Sequence, residues 1–184
     1  MTEERAQLKV SEKVESTGHP VTPSPCHPVP PPPWHLTGTA VLLPCGWRSA
    51  LSLIRYDDSP VGPYNELALG VLTRHGPSVI GMWVTSEASL IGGRANWGYP
   101  KQLANLRWER EGERVVFQAN GRVWQVRPWG PVISLGLKLW TVQILNDQRV
   151  RVPLHVQGRA RLAFQGRRWA LFIEPFELDV LAPE

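Results

Sequence analysis

From Trp34 onward the chain is written as one short apolar segment after another, each closed by turn-forming residues. LTGTAVLL (36–43), SALSLIRY (49–56), YNELALGVLT (64–73) and SVIGMWVT (78–85) are rich in aliphatic, β-branched and aromatic residues. Pro44-Cys45-Gly46, the run from Asp57 to Pro63, and His75-Gly76-Pro77 separate them. LRWERE, RVVFQAN, RVWQVRP, VISLGLKLWTVQI, RVPLHVQGRARLAF and RRWALFIEPFELDVL come next, with Glu111-Gly112 and Asn120-Gly121 as punctuation. Asn-Gly between two such runs is the strongest short signal for a hairpin. Strand after strand at regular spacing predicts a mainly β protein, a meandering antiparallel sheet closed into a barrel or sandwich. One segment breaks the pattern. In TSEASLIGGR (85–94), Ser86 is placed to cap a short helix over Glu87 to Ile91, which Gly92-Gly93 would end. The loop RANWGYPK then leads to Lys101.

Residues 1–33 read differently. HPVTPSPCHPVPPPPW can neither pair as a strand nor continue as a helix, which predicts an extended or disordered tail ahead of a domain at 34–184. Its proline run reads as a stiff spacer or as a ligand for an SH3- or WW-type partner. No apolar run reaches the roughly 18–20 residues that cross a bilayer. The opening MTEERAQLKVSEKVES lacks the apolar core of a secretory signal, so the expected location is the cytoplasm, away from membranes. Cys26 and Cys45 are too few for a disulfide framework, and no spacing suggests a metal site. The formal charge is +4, but most arginines between 107 and 127 alternate with Glu109, Glu111 and Glu113. Only Arg159, Arg161, Arg167 and Arg168 cluster without acids, and no recognition motif accompanies them, so nucleic acid is not an expected partner.

Lysine is scarce. It occurs at positions 9, 13, 101 and 138, and the other sixteen of the twenty basic residues are arginine. Lys101 follows Trp97, Tyr99 and Pro100, an apolar and tightly specified setting. A free lysine titrates near 10.4 and is not nucleophilic at neutral pH, but a dry pocket or a nearby cation such as Arg94 disfavours its charged form. A neutral amine attacks ketones and aldehydes to give an iminium, a step arginine cannot perform. Two readings stand side by side: an activated amine with Trp97 and Tyr99 excluding water, and a surface lysine in a chain that prefers arginine. A second feature is GPYNELALG (62–70). Strand alternation puts Tyr64, Glu66 and Ala68 on one face and Asn65, Leu67 and Leu69 on the other. If the first face lines an interior, Glu66 is a buried carboxylate in need of a partner. If it faces out, Glu66 is an ordinary solvated residue.

PYNELALG followed about thirty residues later by GGRANWGYPKQLA resembles the acetoacetate decarboxylase superfamily. Its members carry a Tyr-x-Glu strand and then a Gly-Arg loop ending in an aromatic-Pro-Lys run. The resemblance spans about Leu36 to Leu106. It implies a β-barrel or cone wrapped by further strands, with one or two short helices and the pocket inside. It further implies Lys101 as the Schiff-base lysine, Glu66 as the active-site glutamate that orients substrate or shuttles a proton, and Arg94 as the cation that holds the substrate carboxylate or depresses the lysine pKa. Tyr64, Trp97 and Tyr99 would touch the substrate. The function implied is a lyase, decarboxylase or aldolase- or dehydratase-type, on a small oxo-acid or ketone. It needs no metal or organic cofactor, and such proteins often form homo-oligomers. There are departures: Gln102 and Ala95 stand where decarboxylases carry lysine and glutamate, and LTGTAVLL lacks their early-strand arginine. The alternative is a non-catalytic barrel that binds a small molecule and in which Lys101 pairs with Glu66.

Overall fold

Ten strands and one helix make up the computed structural model, which describes residues 29–184. In chain order the elements are β1 (Trp34–Pro44), β2 (Ser49–Asp58), β3 (Tyr64–Thr73), β4 (Gly76–Val84), α1 (Glu87–Trp97), β5 (Lys101–Leu103) and β6 (Leu106–Glu111). They continue with β7 (Arg114–Ala119), β8 (Arg122–Leu145), β9 (Gln148–Gln165) and β10 (Arg168–Val180). All strands join one sheet in the order β5-β4-β3-β2-β1-β10-β9-β8-β7-β6. Every pairing is antiparallel except β4 with β5, which is parallel. The mainly β class is as expected. No helix among the described residues is long and apolar enough to cross a membrane.

Closure is where the expectation of a barrel gives way. The sheet is open, with β5 and β6 as its two edges. Lys101–Leu103 is too short to carry the ladder further, and Ala104-Asn105 then send the chain to the opposite edge. A side chain spans the gap instead: the Asn65 amide on β3 donates to the Leu106 carbonyl on β6 (3.2 Å). RVWQVRP and VISLGLKLWTVQI also differ from the expectation, because they form one continuous 24-residue strand. Pro128, Gly130 and Pro131 leave only a register shift against β9, between Trp129 and Ile133. Asn120 and Gly121 make their hairpin as read, with φ of 47° and 76°, the left-handed pair that a two-residue turn demands.

The curled sheet buries both faces. Strand alternation sends Val41, Leu53, Leu67, Phe117 and Phe172 to one core. Leu36, Ile54, Tyr64, Met82 and Ile173 go to the other, which α1 covers by packing on β4, β5 and β8. Ser86 caps α1 as read, its Oγ accepting from Ser89 N (3.2 Å). The helix does not stop at Gly92-Gly93; it runs to Trp97, and Gly98 ends it in the left-handed conformation (φ 68°). The two earlier glycines serve close approach. A Cβ on Gly92 would collide with the Trp34 indole, and one on Gly93 would lie 2.5 Å from Lys101 Cε. Each glycine costs about 1 kcal/mol of helix propensity relative to alanine, which that packing offsets.

The tail expected over residues 1–33 lies outside the described residues as far as position 28. The part beyond it is tied to the helix. The Pro30 carbonyl accepts from Trp34 Nε1 and from Asn96 Nδ2, both at 2.9 Å.

Candidate active site

Strand pairing decides what surrounds Lys101. β4 holds β5 in parallel, with Met82 opposite Lys101. β3 sets Glu66 against Ile54 of β2 and Val84 of β4. Tyr64, Glu66 and Ala68 therefore point inward together, the inward alternative of the two, and Leu67 joins the other core. Lys101 begins its strand with the side chain inward, while Gln102 is exposed. A side chain at 102 thus leaves the site, and a lysine there would not face the Lys101 amine.

Lys101 and Glu66 are each only 4% exposed. Lys101 Nζ donates to Glu66 Oε2 at 2.9 Å and to Ser89 Oγ at 2.8 Å, and lies 5.2 Å from the centre of the Tyr64 ring. The Tyr56 hydroxyl donates to the other carboxylate oxygen at 3.3 Å. The group borders a cavity of about 420 Å³ whose walls include Leu36, Ile54, Ala68, Val79, Met82, Trp97, Tyr99 and Thr141. That volume falls within the roughly 300–1,000 Å³ of small-molecule sites. Leu139 and Trp140, both on the cavity wall, are 44% and 40% exposed and mark its side toward solvent.

Of the six residues singled out in the sequence, five meet at this cavity: Lys101, Glu66, Tyr64, Trp97 and Tyr99. Trp97 is held by a hydrogen bond to the Leu181 carbonyl (2.6 Å), and Tyr99 shares one with Thr141 Oγ1 (3.1 Å). Arg94 does not join them. It sits on the exposed side of α1, and its guanidinium donates through Nε and Nη2 to the Lys101 main-chain carbonyl at 2.9 and 2.5 Å. The reading of Arg94 as a carboxylate anchor or as a charge facing the amine is corrected accordingly. Its position on the outer face of the helix turns it toward the backbone of β5, where it fixes the strand that carries Lys101. Two partners escaped the sequence reading. Ser89 is three residues after its own cap within a helix expected to end early, and Tyr56 is visible only once the β2–β3 register is known.

The chain's three tyrosines all line the cavity. Burial holds the Tyr56 and Tyr64 phenols well above the usual value of 10.0, and the negative charge of Glu66 adds to it. Burial also raises Tyr99, against an opposing hydrogen bond with Thr141. A phenol whose folded pKa is raised contributes stability that is complete below its unfolded value, near 10, and is lost as pH rises above it. An alkaline titration followed by phenolate absorbance is therefore expected to show no ionisation in the folded protein near pH 10. The phenolate signal should arrive together with the loss of circular dichroism. Gradual ionisation of a still-folded chain would show that water reaches these rings.

The family model described as acetoacetate decarboxylase matches residues 47–122, the stretch from β2 into β8 that contains both Glu66 and Lys101. Over that stretch the chain is similar to the acetoacetate decarboxylase family. Acetoacetate decarboxylase 3 of Mesorhizobium japonicum is 36% identical over 64 residues, 33% of this chain. The match spans a quarter of that relative's length (25%). The fold agrees over a wider span. The acetoacetate decarboxylase of Legionella pneumophila superposes with a TM-score of 0.55 at 15% identity, over 91% of this chain and 92% of that one. An enduracididine biosynthesis enzyme complexed with pyruvate gives 0.53 at 12% identity, over 84% and 90%. The fold shared with these structures thus extends through β8–β10, beyond the stretch that the family model matches.

Proposed function

We propose that the protein is a Schiff-base-forming lyase acting on a small carbonyl compound through Lys101. The observation that carries the reading is one buried lysine amine on a cavity wall, with a carboxylate at 2.9 Å and a hydroxyl at 2.8 Å as its partners. Transfer of a proton from Nζ to Glu66 frees the nitrogen lone pair for attack on a carbonyl carbon. Glu66 then returns the proton to the oxygen that leaves as water. The iminium is the electron sink, so the chemistry calls for no further cofactor. Ser89 aims the amine, Gly93 makes room for its methylenes, and Arg94 holds the strand beneath it. The similarity to acetoacetate decarboxylase over residues 47–122 supports this reading. So does the fold's enduracididine relative, which is found complexed with the condensation product of pyruvate and imidazole 4-carboxaldehyde.

One observation favours the second reading, a binding protein in which Lys101 and Glu66 are a structural pair: the two are in direct contact and bury each other. The cavity serves either reading, since a bound small molecule needs it too; what the enzyme requires in addition is the Lys101 amine on the cavity wall, and that is where it lies. Borohydride reduction in the presence of a ketone panel separates the two. A mass adduct is expected on the peptide containing Lys101, and none across the panel would leave the binding reading.

Self-association is part of the proposal. Trp129, Ile133, Leu137 and Ile144 of β8 and Leu162 and Phe164 of β9 expose large apolar side chains, a surface suited to a second copy. A monomeric mass in solution at micromolar concentration would remove this part.

A further inference from the structure

We infer that the carbonyl compound taken by this site is a neutral, largely apolar ketone and not an oxo-acid, an inference that rests on the imine-forming reading of Lys101. The cavity wall carries two charged residues, Glu66 and Lys101, and they cancel each other at 2.9 Å. Among the described residues no second cation lines the space. Arg94 is outside it and bonded to a main-chain carbonyl. β1 presents Leu36 and Leu42 to the cavity. Three hydroxyls around the site are already engaged, Tyr56 with Glu66, Ser89 with Lys101 and Tyr99 with Thr141, and those of Tyr64 and Ser52 add polarity to the wall but no charge.

Charge balance then selects the substrate. With a neutral ketone, the protonated amine and the carbonyl compound become an iminium and one water. The nitrogen–carbon bond forms, the carbon–oxygen bond breaks, and the oxygen departs with two of the ammonium protons. The positive charge stays on Nζ beside the Glu66 carboxylate, so the site remains neutral throughout. An oxo-acid adds a carboxylate that no group on the wall compensates, in a site that already holds one carboxylate. Burying an unpaired charge is far more costly than burying a neutral carbonyl.

The same balance limits the fate of the iminium. Without a substrate carboxylate there is no carbon dioxide to lose. The available step breaks an α-carbon–hydrogen bond: the proton goes to Glu66, its electron pair forms the carbon–carbon double bond, and the iminium π pair returns to Nζ. The product is an enamine, the nucleophile of aldol-type condensation. The reaction class indicated is addition of the enamine carbon to the carbonyl carbon of a second neutral aldehyde or ketone, whose π pair moves to its oxygen and takes up the proton held by Glu66, or the reversal of that addition.

Matched probes test this on the full-length protein. Acetone and pyruvate differ by a methyl in place of a carboxylate, as do benzyl methyl ketone and phenylpyruvate. Each is incubated with borohydride, and the adduct on the Lys101 peptide is divided by that on the peptide of Lys138, an exposed lysine that reports intrinsic electrophilicity. The expected ratio favours each ketone over its acid by about tenfold or more, as for sites that reject a group they cannot pair. Methyl pyruvate restores neutrality while keeping the bulk of the acid, and should behave as the ketones do. If the acids label Lys101 as well as the ketones, or methyl pyruvate labels no better than pyruvate, the substrate inference falls while imine formation stands. No adduct on Lys101 from any probe overturns both.

Discussion

Lys101→Met is expected to abolish the borohydride-trapped adduct and to destabilise the fold by about 3–5 kcal/mol, the usual cost of stranding one partner of a buried ion pair. Methionine matches the lysine stem in length and fits beside Gly93, where the aliphatic chain already makes close contact. It supplies neither a nucleophile nor a charge. Glu66 would be left at 4% exposure with the Tyr56 hydroxyl as its remaining hydrogen-bond donor. Urea unfolding reads the stability and peptide mass mapping reads the adduct. Lys101→Arg serves as the companion: it keeps a cation for Glu66 but stays protonated, so the adduct should vanish with a smaller loss of stability. An adduct of wild-type yield in either variant would move the chemistry to another residue.

Two patterns in the sequence bear on this site, though each by itself leaves an ordinary surface residue as its alternative. The alternation in YNELALG assigns Glu66 to one face from local geometry alone, and the aromatic-Pro-Lys run fixes the approach to Lys101. What joins them is β4, paired with β3 on one side and with β5 on the other, and that pairing is a tertiary fact. Arg94 shows the limit. Read as part of a loop, it is free to face the site; on a helix that extends to Trp97 it belongs to the outer surface. The extension is invisible to propensity, since consecutive glycines ordinarily end a helix. Gly92 and Gly93 remain helical because Trp34 and Lys101 occupy the space their side chains would have taken.

The open sheet was hidden for a related reason. Strand patterns state which segments pair with neighbours but not whether the first and last strands meet. Here that depends on β5 having only three residues before Ala104-Asn105 redirect the chain. The cavity's neutrality was partly legible: the early strand LTGTAVLL lacks an arginine, and its inward-facing residues prove to be leucines. Its volume was not, because tryptophans that fill a core and those that line a pocket look alike in sequence. Trp97 lines the cavity, whereas Trp108 and Trp124 pack edge-on against Phe117 near the other core.

Glu66→Gln is expected to lower the rate of adduct formation by about 100-fold or more, the low end of what a positioned proton-transfer group contributes. Glutamine keeps the shape and can still meet Lys101 Nζ and the Tyr56 hydroxyl, but it cannot take a proton from the amine or return one to the departing oxygen. It also leaves the ammonium without a counter-charge at 4% exposure, so stability should fall by about 3–5 kcal/mol. A double variant, Glu66→Leu with Lys101→Met, tests whether the two losses share one origin. Replacing a whole buried pair by apolar residues of similar volume is often neutral or stabilising, so the double variant should be more stable than either Glu66→Gln or Lys101→Met. Strictly additive losses would mean that the pair is not the energetic unit its 2.9 Å contact indicates. A Glu66→Gln protein that forms the adduct at the wild-type rate would confine Glu66 to holding the lysine in place.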